Sequence, residues 1–242
     1  MNNKISVVIA TYNGEKYITE QINSILKQIG NYDQVIISDD CSSDKTCEII
    51  KGFDDSRIIL IENKENIGVI NNFEKTLERV NGDYIFLCDQ DDVWLPNKVE
   101  VFCSYLKKYH IVQSDAFIVD ESLKTTNQSY FELRGVKRGF FKNLWKNNYM
   151  GCNMAFQKKI LTIALPFPKN IPMHDLWIGL IGELFFKPVL ITEKLLLYRR
   201  HSSNVSQSTS ASPFSLARQF IFRFNAVKYL PLLFLRKFRS GL

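Results

Sequence analysis

Asp89, Asp91 and Asp92 stand within four consecutive positions, directly after the apolar run Tyr84–Cys88. Carboxylates this close repel one another, so water or a cation must compensate. If the chain is extended there, residues two apart point the same way, and Asp89 and Asp91 converge on one point at a strand's end. Hard divalent cations take such oxygen ligands, and Mg2+ typically keeps one or two carboxylates plus substrate phosphates. The plainer alternative is a solvated acidic turn with Asp92 capping the next helix. The buried strand before it favours the cation, because a strand end inside a cleft is less well hydrated. Asp39 and Asp40 close a second apolar run, and Thr11 and Tyr12 follow a third. A turn capped by Ser42 or Ser43 explains much of the Asp39–Asp40 stretch. It does not explain why Thr11, Tyr12 and Asp39 meet on one edge. An aromatic face beside a carboxylate that accepts a ring N–H would hold a pyrimidine base.

The elements that must position these groups follow from hydrophobic pattern. Residues 5–10, 34–40, 57–62 and 83–89 are continuous, β-branched apolar runs. Between them, 14–28, 43–53 and 69–82 carry apolar residues at spacings of three and four, such as Ile18, Ile22, Ile25 and Leu26. Strand–helix alternation with apolar strands predicts a parallel, doubly wound α/β sheet with helices on both faces. Ligands then bind beyond the carboxyl ends of the strands, where Thr11, Asp39 and Asp89 fall. The second half is less regular. A helix is expected over 98–109, an extended segment over 111–120, a loop or hairpin over 121–138, a strand over 151–156, a helix over 175–186 and a strand over 194–201.

A 242-residue chain that is 45% hydrophobic can bury a sizeable core. The formal net charge of +6 is uneven: residues 214–242 hold six of the 31 basic residues and no acid, which leaves the body neutral. That distribution argues for an anionic surface met by the tail and against a nucleic-acid groove across the body. The five cysteines are odd in number and lack metal-like spacing, so they read as reduced thiols of a cytosolic protein. The apolar run at the start is too short for a signal peptide, and none reaches the roughly 18–20 residues of a membrane span. Residues 202–213 form a Ser-rich linker. In the tail, Leu216, Ala217, Phe220, Ile221, Phe224 and Val227 share one helical face opposite Arg218 and Arg223, and Pro231 should break the pattern. Such a helix fits a membrane interface, or else packs on the protein's own body or a dimer partner.

The stretches SVVIATYNGEKYITEQINSIL, IISDDCSSDKT, NIGVINNFEKTL, GDYIFLCDQDDVWLPNKV, GCNMAF and MHDLWIGL, in this order over residues 4–201, resemble the family 2 glycosyltransferases. These are inverting nucleotide-sugar enzymes of the GT-A fold. With LLLYRRHSSNVS added, the likeness is closest to the rhamnosyltransferase-like branch, which builds bacterial surface polysaccharides from dTDP-rhamnose. The resemblance implies a GT-A domain over 1–201: a Rossmann-like, mostly parallel sheet with a nucleotide-sugar half (1–95) and an acceptor half (96–201). It is followed by the linker and a membrane-associating tail (214–242). By the same resemblance, Thr11, Tyr12 and Glu15 lie around the nucleotide, with Asp39 on the base. Asn66, Gly68 and Asn72 border the nucleotide-sugar. Asp89 and Asp91 form the metal and diphosphate motif, with Mg2+ or Mn2+ as cofactor and His201 as a further metal or diphosphate contact. Asp175 matches the catalytic base; taken alone it also reads as the N-cap of the following helix. The implied partners are a dTDP- or UDP-sugar donor and a glycan or lipid-linked glycan acceptor, on the inner face of the plasma membrane. Two alternatives come from the residues. Asp89–Val93 also fits the Asp-x-Asp-x-Val nucleophile motif of haloacid-dehalogenase-like phosphatases, although there it follows the first strand. A non-catalytic, membrane-tethered nucleotide-sugar-binding module is the other.

Overall fold

The computed structural model describes residues 3–202, 204 and 216–241. The first half alternates as its pattern requires: β1 (Ile5–Thr11), α1 (Ile18–Leu26), β2 (Gln34–Asp39), α2 (Thr46–Lys51), β3 (Ile58–Glu62), α3 (Val69–Leu77) and β4 (Tyr84–Cys88). Then come β5 (Val93–Trp94), α4 (Lys98–Leu106), β6 (Ile111–Val119), β7 (Thr125–Asn127), α5 (Tyr130–Arg134) and α6 (Phe140–Trp145). β8 (Met154–Gln157), α7 (Leu161–Ala164), α8 (His174–Phe185) and β9 (Pro188–Arg199) complete the body. The segment expected as a strand over 151–156 opens with a turn of 3-10 helix at Gly151–Asn153 before β8 begins.

The sheet runs β3-β2-β1-β4-β8-β6-β9-β5, with β7 paired to β6. The strands β3, β2, β1 and β4 are mutually parallel. β8 is antiparallel to both β4 and β6, whereas β6 and β9 are parallel. Alternate residues of one strand feed opposite faces. Val7 and Ile9 of β1 join a core with Ile18, Ile22 and Phe102, while Val8 joins one with Phe73, Leu77 and Trp177. All six residues of β2 are buried. This double coverage is why the strands lack a polar alternation. Register places Thr11 opposite Asp39, and Ile9 opposite Cys88. The polar residues that follow β1, β2 and β4 therefore emerge side by side.

The C-terminal residues form α9 (Leu216–Lys228) and α10 (Leu230–Ser240), separated at Tyr229, with Pro231 in the first turn of α10. Proline is tolerated there because a first-turn N–H has no intrahelical partner. The tail rests on the body. Leu233 is wholly buried, and Ala226 packs with Leu176 and Leu180 of α8. The Arg236 guanidinium donates to the carbonyls of Ile163 and Pro166 at 3.0 and 2.9 Å. Ile221, Phe224, Val227, Phe234, Leu235 and Phe238 remain exposed. The linker at 202–213 lies outside the described residues apart from Ser202 and Asn204. Among the described residues no helix is long and apolar enough to cross a membrane.

Candidate active site at the carboxyl edge of the sheet

The loop after β1 and the loop after β2 are stitched together by short polar contacts. Asp39 is buried and accepts from the Thr11 hydroxyl (2.9 Å), the Ser42 N–H (2.8 Å) and the Ser42 hydroxyl (2.6 Å). Glu15 accepts from the Lys45 N–H at 3.0 Å, which fixes its carboxylate against the second loop. Tyr12 is left half exposed, at 50%, so its ring face is open to a base. Its backbone is gripped by Gln90: the Tyr12 N–H donates to Gln90 Oε1 (2.9 Å) and Gln90 Nε2 donates to the Tyr12 carbonyl (3.1 Å). A Cβ at Gly14 would lie 2.4 Å from Gln90 Oε1, so only glycine admits this clamp. Gln90, which sequence reasoning passed over, thus ties the acidic motif to the Tyr12 loop.

Asp40 organises the third wall. It accepts from the Asn63 side chain and from the N–H groups of Ile67 and Gly68, at 2.8 to 3.0 Å. Asn66 lies on this loop, its Oδ1 accepting from the Gly68 N–H at 3.2 Å. Asn72 is buried: it donates to the Ser38 carbonyl (2.7 Å) and accepts from Asn63 (3.0 Å). Its contacts therefore hold α3 against the end of β2.

After β4 the chain bends at Gln90–Asp91 instead of staying extended. The carboxylates consequently part. One oxygen each of Asp89 and Asp92, with the Cys152 sulfur, lie within 4.8 Å of one another. Asp91 turns the other way: its Oδ2 lies 2.8 Å from His201 Nε2 and accepts from Asn204 Nδ2 at 2.8 Å. The His201 ring is 4.7 Å from that of Tyr17. Burial, followed by the charges of Asp91 and Asp175, pushes the Asp89 carboxyl up to about 7. Burial likewise raises Asp92 well above the usual carboxylate range. Asp92 Oδ2 is buried without a hydrogen-bond partner. Crowded carboxylates with an unsatisfied oxygen fit a hard divalent cation. The Cys152 thiol, which burial also holds in its protonated form, does not suit one.

Asp175 stands in the first turn of α8, where Met173 occupies the N-cap position without a side-chain cap. Its carboxylate is positioned from two other elements. Oδ1 accepts from Asn147 Nδ2 (2.9 Å) and Oδ2 from the Gly151 N–H (3.1 Å). Burial raises its pKa to about 6. The neighbouring His174 imidazole stacks on Phe73 at 3.9 Å, and burial holds it neutral, with a pKa near 3. Burial outweighs the hydrogen bonds that Asp175 accepts from Asn147 and from the backbone of Gly151 and Leu176. The charge of Asp175 also raises the Asp89 carboxyl, so the two lie near enough to interact.

Two buried cations underlie this cleft. The Arg199 backbone N–H donates to Asp92 Oδ1 (2.9 Å) and its Nε to the Asp91 carbonyl (2.8 Å). Its guanidinium also pairs with Glu20 and stacks over Tyr17 at 4.7 Å. Lys98, 1% exposed, bonds Asn153 Oδ1 between the rings of Trp94 and Phe102. Burial lowers its pKa to about 8. The only hint of Arg199 in the sequence is an arginine that directly follows the apolar run Leu195–Tyr198. Lys98 gives none, because a lysine in a first helical turn reads as solvated.

A model of the family described as glycosyl transferase family 2 matches residues 6–163, more than half of the chain. The chain belongs to glycosyl transferase family 2. This family 2 glycosyltransferase is 32% identical over 207 residues to an uncharacterized glycosyltransferase of Methanocaldococcus jannaschii, covering 81% of this chain and 70% of the relative. It is 26% identical over 206 residues to the UDP-Glc:alpha-D-GlcNAc-diphosphoundecaprenol beta-1,3-glucosyltransferase of Escherichia coli, covering 84% and 80%. It is 27% identical over 223 residues to a dTDP-rhamnosyl transferase of Shigella flexneri, covering 81% and 72%. Among solved structures, S. aureus TarS 1-349 in complex with UDP-GlcNAc superposes with a TM-score of 0.68 at 16% identity, covering 93% of this chain and 71% of that one. A mannosyltransferase from Pyrobaculum calidifontis in complex with GDP-Man and Mn2+ gives 0.60 at 16% identity, covering 100% and 76%. These likenesses establish the GT-A fold. The family match leaves the phosphohydrolase alternative without support.

Proposed function

We propose that this enzyme moves a sugar from a pyrimidine nucleoside diphosphate to an acceptor hydroxyl, inverting the anomeric centre. The observation that carries the reading is Asp175, buried, held by Asn147 and Gly151 and charge-coupled to Asp89. Asp175 accepts the acceptor hydroxyl's proton as that oxygen bonds to the anomeric carbon, while the bond from this carbon to the diphosphate breaks. The departing diphosphate keeps the bonding electron pair. Tyr12 offers a ring face to the base, and Asp39 is the acceptor for its ring N–H once Ser42 yields. Asp89 and Asp92, with Asp91 and His201 beside them, would hold a divalent cation. Bound there, Mg2+ or Mn2+ would neutralise charge growing on the leaving diphosphate. The Arg199 backbone N–H holds Asp92 in place from behind.

dTDP-rhamnose is our first choice of donor, supported by the Shigella relative and by the motifs at Asp89–Trp94 and Met173–Leu180. UDP-glucose follows, supported by the E. coli relative. Both carry pyrimidines. The acceptor is a glycan or lipid-linked glycan of a bacterial surface polysaccharide, met at the inner face of the plasma membrane through the apolar and basic tail.

A thermal-shift panel of dTDP-, UDP- and GDP-sugars with and without Mn2+ tests this. We expect stabilisation by a pyrimidine donor that needs the cation and weakens about tenfold in Asp89→Asn. Indifference to every donor, or to EDTA and Asp89→Asn alike, would overturn the donor and metal assignments respectively.

A further inference from the structure

Beside the carboxylates that suit a hard cation stands a group of another kind. Cys152 is buried, and its sulfur lies within 4.8 Å of one oxygen each of Asp89 and Asp92. Nothing in the spacing of the five cysteines announces this meeting. The antiparallel pairing of β8 with β4 makes it, since the same register carried onward brings Cys152 alongside Asp89. The turn Gly151–Asn153 that carries the sulfur is pinned at both ends. The Gly151 N–H donates to Asp175 Oδ2 at 3.1 Å. The Asn153 amide donates to the Ser114 carbonyl at 2.7 Å, and its oxygen accepts from Lys98 and, at 3.0 Å, from the Ser114 hydroxyl. The neighbouring carboxylate lacks a partner: Asp92 is 0% exposed, and its Oδ2 makes no hydrogen bond. Asp89 is the partly exposed member and leaves a way in.

These donors are mixed in hardness. Carboxylates suit Mg2+ and Mn2+, whereas a thiolate selects zinc and softer metals. Two carboxylates and a thiolate leave the fourth position of a tetrahedral zinc open to water or a phosphate oxygen. Ligand atoms of such a site stand roughly 3.3–3.5 Å apart, so even the widest pair here need close by only about 1.5 Å. Charge also balances. Three anionic ligands on a dication leave one negative charge. Lys98, buried and near enough to interact with both Cys152 and Asp92, supplies one positive charge. We infer that Asp89, Asp92 and Cys152 form a thiolate-containing site for Zn2+ or Cd2+, which overlaps the hard-cation site and excludes the hard cation from it. Binding breaks the Cys152 S–H bond; the sulfur's electron pair passes to the metal and the proton leaves to water. A hard cation would use the carboxylates and leave the thiol protonated. Zinc is therefore an inhibitor that competes with Mn2+. The inhibition rests on the transferase reading, whereas the metal site does not.

Spectroscopy on the full chain, stripped of metal, kept reduced with a phosphine and free of any sugar donor, tests this apart from catalysis. Cd2+ is the first probe. One equivalent should bring up the ultraviolet thiolate-to-cadmium charge-transfer band. In wild-type protein loaded with Mn2+, the same addition should release Mn2+, read as the free ion by electron paramagnetic resonance. This measurement needs no variant. Cys152→Ser should remove the band, and Cys41→Ser, which lacks an exposed thiol, should keep it. Circular dichroism checks that both variants fold. By competition, Zn2+ should bind about 100-fold more tightly than Mn2+, and Cys152→Ser should cut that preference at least about tenfold; zinc outranks manganese at most sites, so the change on substitution decides. No band, a band that survives Cys152→Ser, or cadmium that binds without releasing Mn2+ would overturn the inference. A Cys152-dependent band in protein that binds no Mn2+ would instead sink the hard-cation assignment. The same band beside a failed donor panel would sink the transferase reading and leave the thiolate site standing.

Discussion

At the residue scale the chemistry turns on carboxyl groups pushed upward by burial. Asp175 has a pKa of about 6. Below it the proposed base is protonated, so kcat/KM for the acceptor should rise with pH through about 6 and level off above. Asp175→Asn should cut kcat by roughly 100- to 10,000-fold, the span of general base catalysis, with donor affinity retained. Stability should respond in the opposite sense. The folded carboxyl binds its proton more tightly than the unfolded one, so stability falls as pH rises from about 4 to 6, by on the order of 3 kcal/mol. Asp175→Asn should therefore raise the melting temperature at pH 7.5 while abolishing turnover. A variant that loses both stability and activity would identify Asp175 as a structural residue. Asp175 could be picked out from its place before an apolar helix, in a stretch that resembles the family's base motif. Its partners could not. Asn147 is 28 residues away, and only the fold brings its amide to Oδ1.

At the element scale, the carboxyl edge of a parallel sheet gathers the site because β1, β2 and β4 end together. Continuous apolar runs announced those strands, and with them the place of Thr11, Asp39 and Asp89. The internal geometry of the acidic turn was not legible. Spacing placed Asp89 and Asp91 on one side, but the bend at Gln90–Asp91 pairs Asp89 with Asp92 and sends Asp91 to His201. The backbone donor that holds Asp92 was equally hidden, since Arg199 stands more than a hundred residues from it. Arg199→Met should keep the backbone bond to Asp92 but leave Glu20 and the carbonyls of Asp91 and Glu121 without their guanidinium. Glu20 is half exposed, so its pairing contributes at most about 1 kcal/mol; each carbonyl left without its donor adds about 1–3 kcal/mol, read from urea denaturation. A loss below about 1 kcal/mol would show that solvent already screens the cluster.

At the scale of the whole molecule, α9 and α10 are both part of the core and part of the outer surface. Leu233 is fully buried among residues of the body, so Leu233→Ala should cost about 2–5 kcal/mol in the same urea assay. A neutral result would mean that the tail is a detachable appendage. Ile221, Phe224 and Phe238 face outward among the basic residues of the tail. Vesicles containing anionic lipid should therefore bind the protein, less strongly at high salt, and Phe224→Asp should weaken binding about tenfold in co-sedimentation. Binding that ignores both lipid charge and Phe224 would remove the membrane role.

The sequence alone determined the strand–helix alternation, the buried strands and the edge at which polar residues collect. Each of these is a local consequence of side-chain period and hydrophobicity. It also located Asp175 and the amphipathic tail. Tertiary structure decided which carboxylates share a point, which cations stand behind them, and which side of the tail meets the body. Those outcomes depend on contacts between residues distant in the chain, where a one-residue bend or the approach of a second element redirects a side chain without leaving any local mark.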